Sequence, residues 1–314
     1  MSPQMTLTYL SDRILIDCIC GVSGGVIIRR RDRYGLRFDY KLCMSCGHVR
    51  TANPLSEQSA QRFYGTSDYR SMYFPGESAR DVLLRKTPQP NTESALLKYV
   101  SSLNIPRGNV VEWGCGGGWN LVPFRDAGWT VSGFDYDRPY LELGRSELGL
   151  DLQEIRVGDA TPDSTTSPDV IVLNHVLEHS VDPVILLRRL RQLCGAHTTL
   201  VVGVPLLETI KHWHWRDFFH VAHVHYFFVS SFIDTASRAS FSIVHSDASK
   251  GLFALRKSDQ QVAPVPARVL VVRSAMLLLK GFIEPKFRLR RATRYFAASV
   301  GLLPLALRLK ARMR

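Results

Sequence analysis

The stretch Asn109-Val110-Val111-Glu112-Trp113-Gly114-Cys115-Gly116-Gly117-Gly118-Trp119 decides the fold. A short β-prone run leads to an acid, and glycines follow at 114, 116 and 118. This reads as a strand that turns through glycines into a helix. Glycine lets backbone approach a ligand where a Cβ would clash. The helix start offers free N–H groups to an electronegative ligand. In an open α/β sheet, ligands bind at the carboxyl ends of the strands, where such a turn lies. The third glycine comes one residue earlier than in a dinucleotide fingerprint, and Trp119 stands in its place. No G-x-x-x-x-G-K-S/T run exists, which excludes a P-loop. Taken alone, the loop also fits a tight turn without a ligand.

Outward from the loop, strand and helix patterns alternate. Residues 110–113, 130–135, 152–157, 169–174 and 198–204 read as strands, and 119–127, 138–148 and 183–194 as helices. A helix near 231–239 and two further strands, 241–246 and 252–256, follow. That alternation predicts a mostly parallel sheet of about seven strands with helices on both faces. Asp135 ends the second strand, where a carboxylate can accept from both ribose hydroxyls. Val157-Gly158-Asp159-Ala160 ends the third. The fourth, 169–174, runs into His175-Val176-Leu177-Glu178-His179.

These four features, in this order, resemble the class I S-adenosylmethionine (SAM) methyltransferases over about residues 100–250. Within that group the chain is most similar to ubiquinone-biosynthesis-type and bacterial glycan or sugar methyltransferases. The resemblance implies a Rossmann-like sheet and SAM as cofactor. It implies cofactor contacts at Glu112, Gly114, Cys115, Gly116, Gly118, Asp135, Tyr136, Asp159, Ala160 and Asn174. Trp113 departs from the small or aliphatic residue usual at its position.

Methyl transfer to a hydroxyl needs an oriented acceptor and a proton acceptor, a role that suits histidine near neutral pH. His175, Glu178 and His179 fall at i, i+3 and i+4, one face of a helical turn. The resemblance implies a divalent metal there; packing and capping roles are the alternative. Five of the ten histidines lie in residues 212–225, as His212, His214, His220, His223 and His225, beside Trp213 and Trp215. The tryptophans can stack on a sugar or aromatic acceptor. The expected catalytic residues are His223, His225 and His179, against the alternative of histidines packed in a helical lid.

Cys43-Met44-Ser45-Cys46-Gly47 is a C-x-x-C-G knuckle, and Cys20-Gly21 matches half of another. Cys18, Cys20, Cys43 and Cys46, or three of them with Asp17, can complete a tetrahedral structural zinc site. A degenerate ribbon without metal is the competing reading. Disulfides are disfavoured in a reducing compartment. Residues 1–10 lack a basic start followed by an apolar run, and no uncharged apolar stretch reaches about 18 residues, so the expected location is cytoplasmic.

At 45% hydrophobic and 22% charged residues the composition is that of a globular protein, yet its charge is uneven. Residues 256–314 hold 14 Lys/Arg against 2 Asp/Glu, leaving 26 of each sign in residues 1–255. Arginine mixed with aliphatic residues in this tail suits an amphipathic helix on an anionic membrane surface, peripheral to the inner face. A helical cap on the core is the alternative. The neutral body disfavours a nucleic-acid partner. Four segments are expected: a zinc-ribbon-like module (1–60), a helical connector (61–105), a SAM-binding domain (106–256) and a basic helical tail (257–314). The expected function is O-methylation of a sugar, glycan or lipid-linked acceptor. The alternatives are a small aromatic or quinone-type acceptor, or a non-catalytic scaffold.

Overall fold

The computed structural model describes residues 12–65, 69, 72–89, 92–155, 167–210 and 215–258. The central strands β4 (Asn109–Trp113), β5 (Thr130–Asp135), β6 (Asp151–Glu154), β7 (Val170–Asn174) and β8 (Thr199–Gly203) run parallel. β10 (Phe241–Asp247) and β11 (Leu252–Lys257) complete a seven-stranded sheet in the order β10-β11-β8-β7-β4-β5-β6. β11 is antiparallel to both of its neighbours.

Why these segments take these places follows from their side chains. β7 is VIVLN and β8 is TLVVG, nearly continuous apolar runs, and both are buried almost throughout. Strands covered on both faces read this way. On one face Val170, Val172 and Val201 pack with Leu96, Leu97 and Val100 of α3 (Ala95–Ser102). On the other, Ile171, Leu173 and Val202 pack with Leu187 and Leu190 of α6 (Pro183–Leu193) and Phe232 of α8 (Val229–Arg238). Adjacent residues of one strand thus serve opposite cores, as the pleat requires.

Helix starts are marked chemically. α5 (Arg138–Leu148) and α6 each begin with a capping aspartate followed within two residues by proline. Asp137 accepts from the Tyr140 N–H and Asp182 from the Ile185 N–H. Such caps satisfy amides that have no intrahelical partner. α4 (Val122–Asp126) is shorter than the 119–127 pattern. A turn closed by the Leu121 N–H on the Gly118 carbonyl takes up the first residues.

A second sheet is antiparallel, in the order β1-β2-β3-β9, from β1 (Val26–Arg31), β2 (Arg37–Leu42), β3 (Val49–Thr51) and β9 (His225–Tyr226). Its last strand comes from the far end of the chain. Phe38, Tyr40, Phe63, Phe219 and Tyr226 form its core with α1 (Glu57–Gly65). α2 (Ala79–Lys86) packs on α5 through Val82, Leu83 and Tyr140. α7 (Trp215–Phe218) is a single turn before β9. Among the described residues no helix is long and apolar enough to cross a membrane. The basic tail expected at 257–314 lies outside the described residues beyond Ser258.

Candidate active site

A cavity of about 490 Å³ opens at the carboxyl ends of β4, β5, β6 and β7. That size suits a small-molecule site. Its floor is the loop after β4, with Gly114, Gly116, Trp119 and Asn120. Gly114 has φ 77 and Gly116 φ 55, the left-handed region that glycine tolerates. A Cβ on Gly114 would meet the Val176 side chain, and one on Gly116 would come 2.7 Å from the Trp119 ring. The turn therefore holds the backbone bare and close to the cavity.

Asp135 closes the β5 side. Its Oδ2 accepts the Gly116 N–H (2.6 Å) and its Oδ1 the Asp137 N–H (2.8 Å). Burial raises its pKa, and the backbone donors work against that rise. Glu112, one strand over, is fully buried, with Oε1 accepting from Asn120 Nδ2 (2.7 Å) and Oε2 without a partner among the described residues. Burial pushes its carboxyl up to about 8, the Asn120 bond opposes the shift, and the charge of Asp135 adds to it.

On the β7 side the chain leaves the sheet through Asn174 and His175. His175 is a non-glycine residue at φ 56, held by its N–H on the Gly203 carbonyl (2.8 Å). Left-handed residues of this kind concentrate at functional sites. The 3-10 turn Leu177–His179 then turns the buried Glu178 carboxylate toward three imidazoles. Oε1 lies 3.3 Å from His175 Nδ1, 3.8 Å from His179 Nε2 and 4.0 Å from His223 Nε2. Among the described residues, Glu178 Oε2 and His223 Nδ1 have no hydrogen-bond partner.

The imidazoles differ in how readily they take up a proton. The Glu178 hydrogen bond raises the His175 pKa, while burial lowers that of His179. Burial, with His220 and His179 beside it, drives the His223 pKa well below its ordinary value. His179 Nδ1 faces the Ala222 carbonyl (2.8 Å) and the Tyr64 hydroxyl (2.8 Å). A proton on Nδ1, donated to that carbonyl, leaves Nε2 with its lone pair, and at 3.8 Å it makes no hydrogen bond to the Glu178 oxygen. Glu178, His179 and His223 each offer one ligand atom, all within 4.8 Å of one another, so this group can also hold a divalent cation.

Tyr64, Tyr69, Tyr73 and Phe74 cover the cavity from the N-terminal side. The Tyr69 and Tyr73 rings are 4.5 Å apart, and the Tyr73 hydroxyl reaches His220 Nδ1 (2.6 Å). Trp113 faces the cavity while packing on Phe134 (5.5 Å between centroids). Lys86 Nζ lies 4.6 Å from the Trp119 ring centroid at the rim.

Of the residues singled out in the sequence, Gly114, Gly116, Asp135, Tyr136, Asn174, His175, Glu178, His179 and His223 line the cavity. Glu112, Cys115 and Gly118 support it from behind: Cys115 is buried against Gly133, and Gly118 against Leu150 and Leu152. His225 lies elsewhere, with Nδ1 2.9 Å from His48 Nε2 and Nε2 3.2 Å from the Val181 carbonyl. Burial lowers it to about 4. In place of the expected His175, Glu178 and His179, the close ligand group is Glu178, His179 and His223. Asp159, Ala160, His212, Trp213 and His214 lie outside the described residues, as does the Trp215 side chain. Asn120, Trp113 and the three tyrosines are cavity residues that sequence reasoning left unassigned. The aromatic density of residues 63–74 was the available signal, but without a period to fix which rings point inward.

Cys18, Cys20, Cys43 and Cys46 meet at the edge of the smaller sheet. Cys18 and Cys46 Sγ are 3.5 Å apart, and Cys20 and Cys43 Sγ 3.7 Å. Four thiolates about 2.3 Å from a tetrahedral zinc stand about 3.8 Å apart, so the cluster fits that ion. Asp17 is exposed and outside the group.

A sheet of this order, with a bare glycine turn and an acid at the end of the next strand, defines the class I methyltransferase architecture. A family model described as a methyltransferase domain matches residues 85–246, and the chain belongs to that family: it is a SAM-dependent methyltransferase. Similar solved structures include magnesium protoporphyrin IX methyltransferase from Synechocystis PCC 6803 with bound SAH. It is 16% identical, with 64% of this chain and 98% of that one covered and a TM-score of 0.44. Another is a SAM-bound amino pentose methyltransferase from Micromonospora echinaspora, at 14% identity, 60% and 96% coverage and a TM-score of 0.42. No curated protein matches the chain significantly.

Glu112 gives a pH test of the site's packing. A carboxyl raised to about 8 from 4.5 contributes stability that is complete below the lower value and lost as pH rises through the upper one. Glu112→Gln removes that slope. Thermal melts of the unliganded protein from pH 5 to pH 8.5 should show the variant gaining on wild type with rising pH. Parallel curves would contradict a buried, protonated Glu112.

Proposed function

We propose that this methyltransferase O-methylates a sugar, glycan or lipid-linked acceptor. The observation that carries the reading is the cluster of Glu178, His179 and His223, set opposite the glycine turn in an aromatic-walled cavity. SAM, when bound, supplies an electrophilic methyl group. Gly114 and Gly116 leave room for its backbone-facing side. The Asp135 carboxylate keeps lone pairs for ribose hydroxyls, and Tyr136 and Asn174 line the same end. Asn120, anchored by Glu112, presents an amide at the loop. Asp159 and Ala160 complete the set on the resemblance alone.

In this reading an acceptor hydroxyl lies against the histidines, and His223 takes its proton on Nε2. The Glu178 carboxylate, with Oε1 4.0 Å from the same nitrogen, stabilises the imidazolium formed by its charge. His179, fixed through Nδ1, holds its Nε2 at the same point. Tyr64, Tyr69, Tyr73 and Trp113 offer ring faces for the acceptor to lie on. The packed tyrosines equally favour a planar aromatic or quinone-type acceptor, which is the second reading. A divalent cation on Glu178, His179 and His223 is the alternative to a histidine base, since neutral imidazoles are metal ligands. Zinc on the four cysteines is structural in this reading. The tail, with its excess of Lys/Arg, brings the enzyme to an anionic membrane surface from the cytoplasmic side.

Isothermal titration with SAM tests the cofactor. Binding by wild type and none by Gly116→Arg is expected, because any side chain there drives into Trp119. Absence of binding by the folded wild type removes the reading. His223→Gln should lower methyl transfer from labelled SAM to a lipid-linked glycan pool by about 10²–10⁴-fold while leaving SAM affinity unchanged. Full activity in the variant excludes His223 as base, and activity lost to a chelator and restored by magnesium favours the cation. Co-sedimentation with anionic liposomes should be lost in a protein ending at residue 256. Equal binding by the two forms removes the membrane role.

A further inference from the structure

The cysteine cluster and the cavity share one short piece of backbone. Cys43 and Cys46 sit on a knuckle closed by the Gly47 N–H on the Cys43 carbonyl (2.9 Å) and the Cys43 N–H on the His48 carbonyl (2.8 Å). β3 begins at the next residue, Val49, and pairs on its far side with β9. Arg50, fully buried in β3, reaches back to the loop that carries Cys18 and Cys20. It donates to the Ser23 carbonyl (2.8 Å), the Gly24 carbonyl (3.2 Å) and the Ile16 carbonyl (3.3 Å).

Thr51 faces the other way. Its N–H donates to the Val224 carbonyl (2.8 Å), and its buried hydroxyl donates to the His223 carbonyl (2.8 Å). From the opposite side, the Val224 N–H donates to the Glu178 carbonyl (2.8 Å). One residue on, the His225 ring meets the fully buried His48 ring. The segment bearing His223 is thus tied at consecutive groups, between the strand that leaves the knuckle and the residue whose carboxylate faces the His223 ring.

We infer that the four-cysteine module, through Thr51, aims His223 into the cavity, and that Thr51 and Arg50 are positioning residues for methyl transfer. The inference rests on the reading that His223 acts in the cavity. The knuckle loops have little apolar burial of their own to hold them, since Val22 and Met44 are exposed. A metal on the thiolates supplies folding energy that such loops lack. Because β3 is only three residues long, it transmits the state of the knuckle to Thr51 without slack. The glycine turn lies on another sheet, so cofactor affinity should be insensitive to the clamp. His225 belongs to the clamp rather than to the proton transfer.

The test uses the full chain and reads the His223 ring by nitrogen-detected NMR of the imidazoles, assigned with His223→Gln. The protein should contain zinc. Removing it with a chelator under reducing conditions should shift the His223 ring signals and leave SAM affinity unchanged. Thr51→Val should shift the same signals with zinc retained, and Thr51→Ser, which keeps the hydroxyl, should restore them. Unmoved His223 signals after zinc removal overturn the inference, as does a protein that binds no zinc. Loss of SAM binding together with the His223 shift also overturns it, because the module would then hold the whole fold. Failure of wild type to bind SAM would instead count against the proposed function, and the response of His223 to zinc is read independently of it.

Discussion

Burying the Glu178 carboxylate is the constraint around which the active-site end is organised. An ionised group removed from water is costly unless partners compensate it. Here the hydrogen bond comes from His175, 3.3 Å from Oε1, while His179 and His223, from two distant parts of the chain, approach to 3.8 and 4.0 Å. The Glu178 backbone does a second task by accepting the Val224 N–H, so the same residue fixes both the charge and the strand segment opposite it. The short 3-10 turn makes this possible. Glu178 thereby couples the parallel sheet, which supplies the glycine turn, to the turn before β9, which supplies His223.

The walls follow a related division. Groups that face the cofactor end are backbone or short side chains: Gly114, Gly116, Asp135 and Asn174. Groups that face the opposite end are large rings, with their hydroxyls spent on histidines. Tyr64 is committed to His179 and Tyr73 to His220. A tyrosine so bonded presents its ring face, not its hydroxyl, to whatever lies beside it. This arrangement orders the acceptor by shape and leaves chemistry to the imidazoles.

Much of the larger sheet was legible because its physics is local. Parallel strands buried on both faces must be continuous apolar runs, and β7 and β8 are. The glycine turn, Asp135 and the His175–His179 run sit at strand ends that the alternation marks. Other features were hidden because they depend on pairing across long separations. β9 is two residues long and leaves no periodic trace, and its partner β3 is equally inconspicuous. Nothing local distinguishes His223 from His225, which would share a face of a continuous strand; His223 lies in the turn before β9 and faces the cavity, while His225, in β9, meets His48. Spacing placed His175 beside Glu178 and His179, while the third close ligand atom comes from His223, which no helical period can bring there. The four cysteines were visible as knuckles; that they close on one another without Asp17 needed the fold.

The contact between His48 and His225 spans 177 residues. During synthesis, β1, β2 and β3 leave the ribosome early, whereas β9 is made much later. At about 5–20 residues per second, roughly 10–35 s separate the two. Through that interval β3 is an unpaired edge, a strand form open to wrong association. The small sheet thus stays one strand short until nearly the whole catalytic domain exists, which ties closure of the His223 segment to arrival of β9.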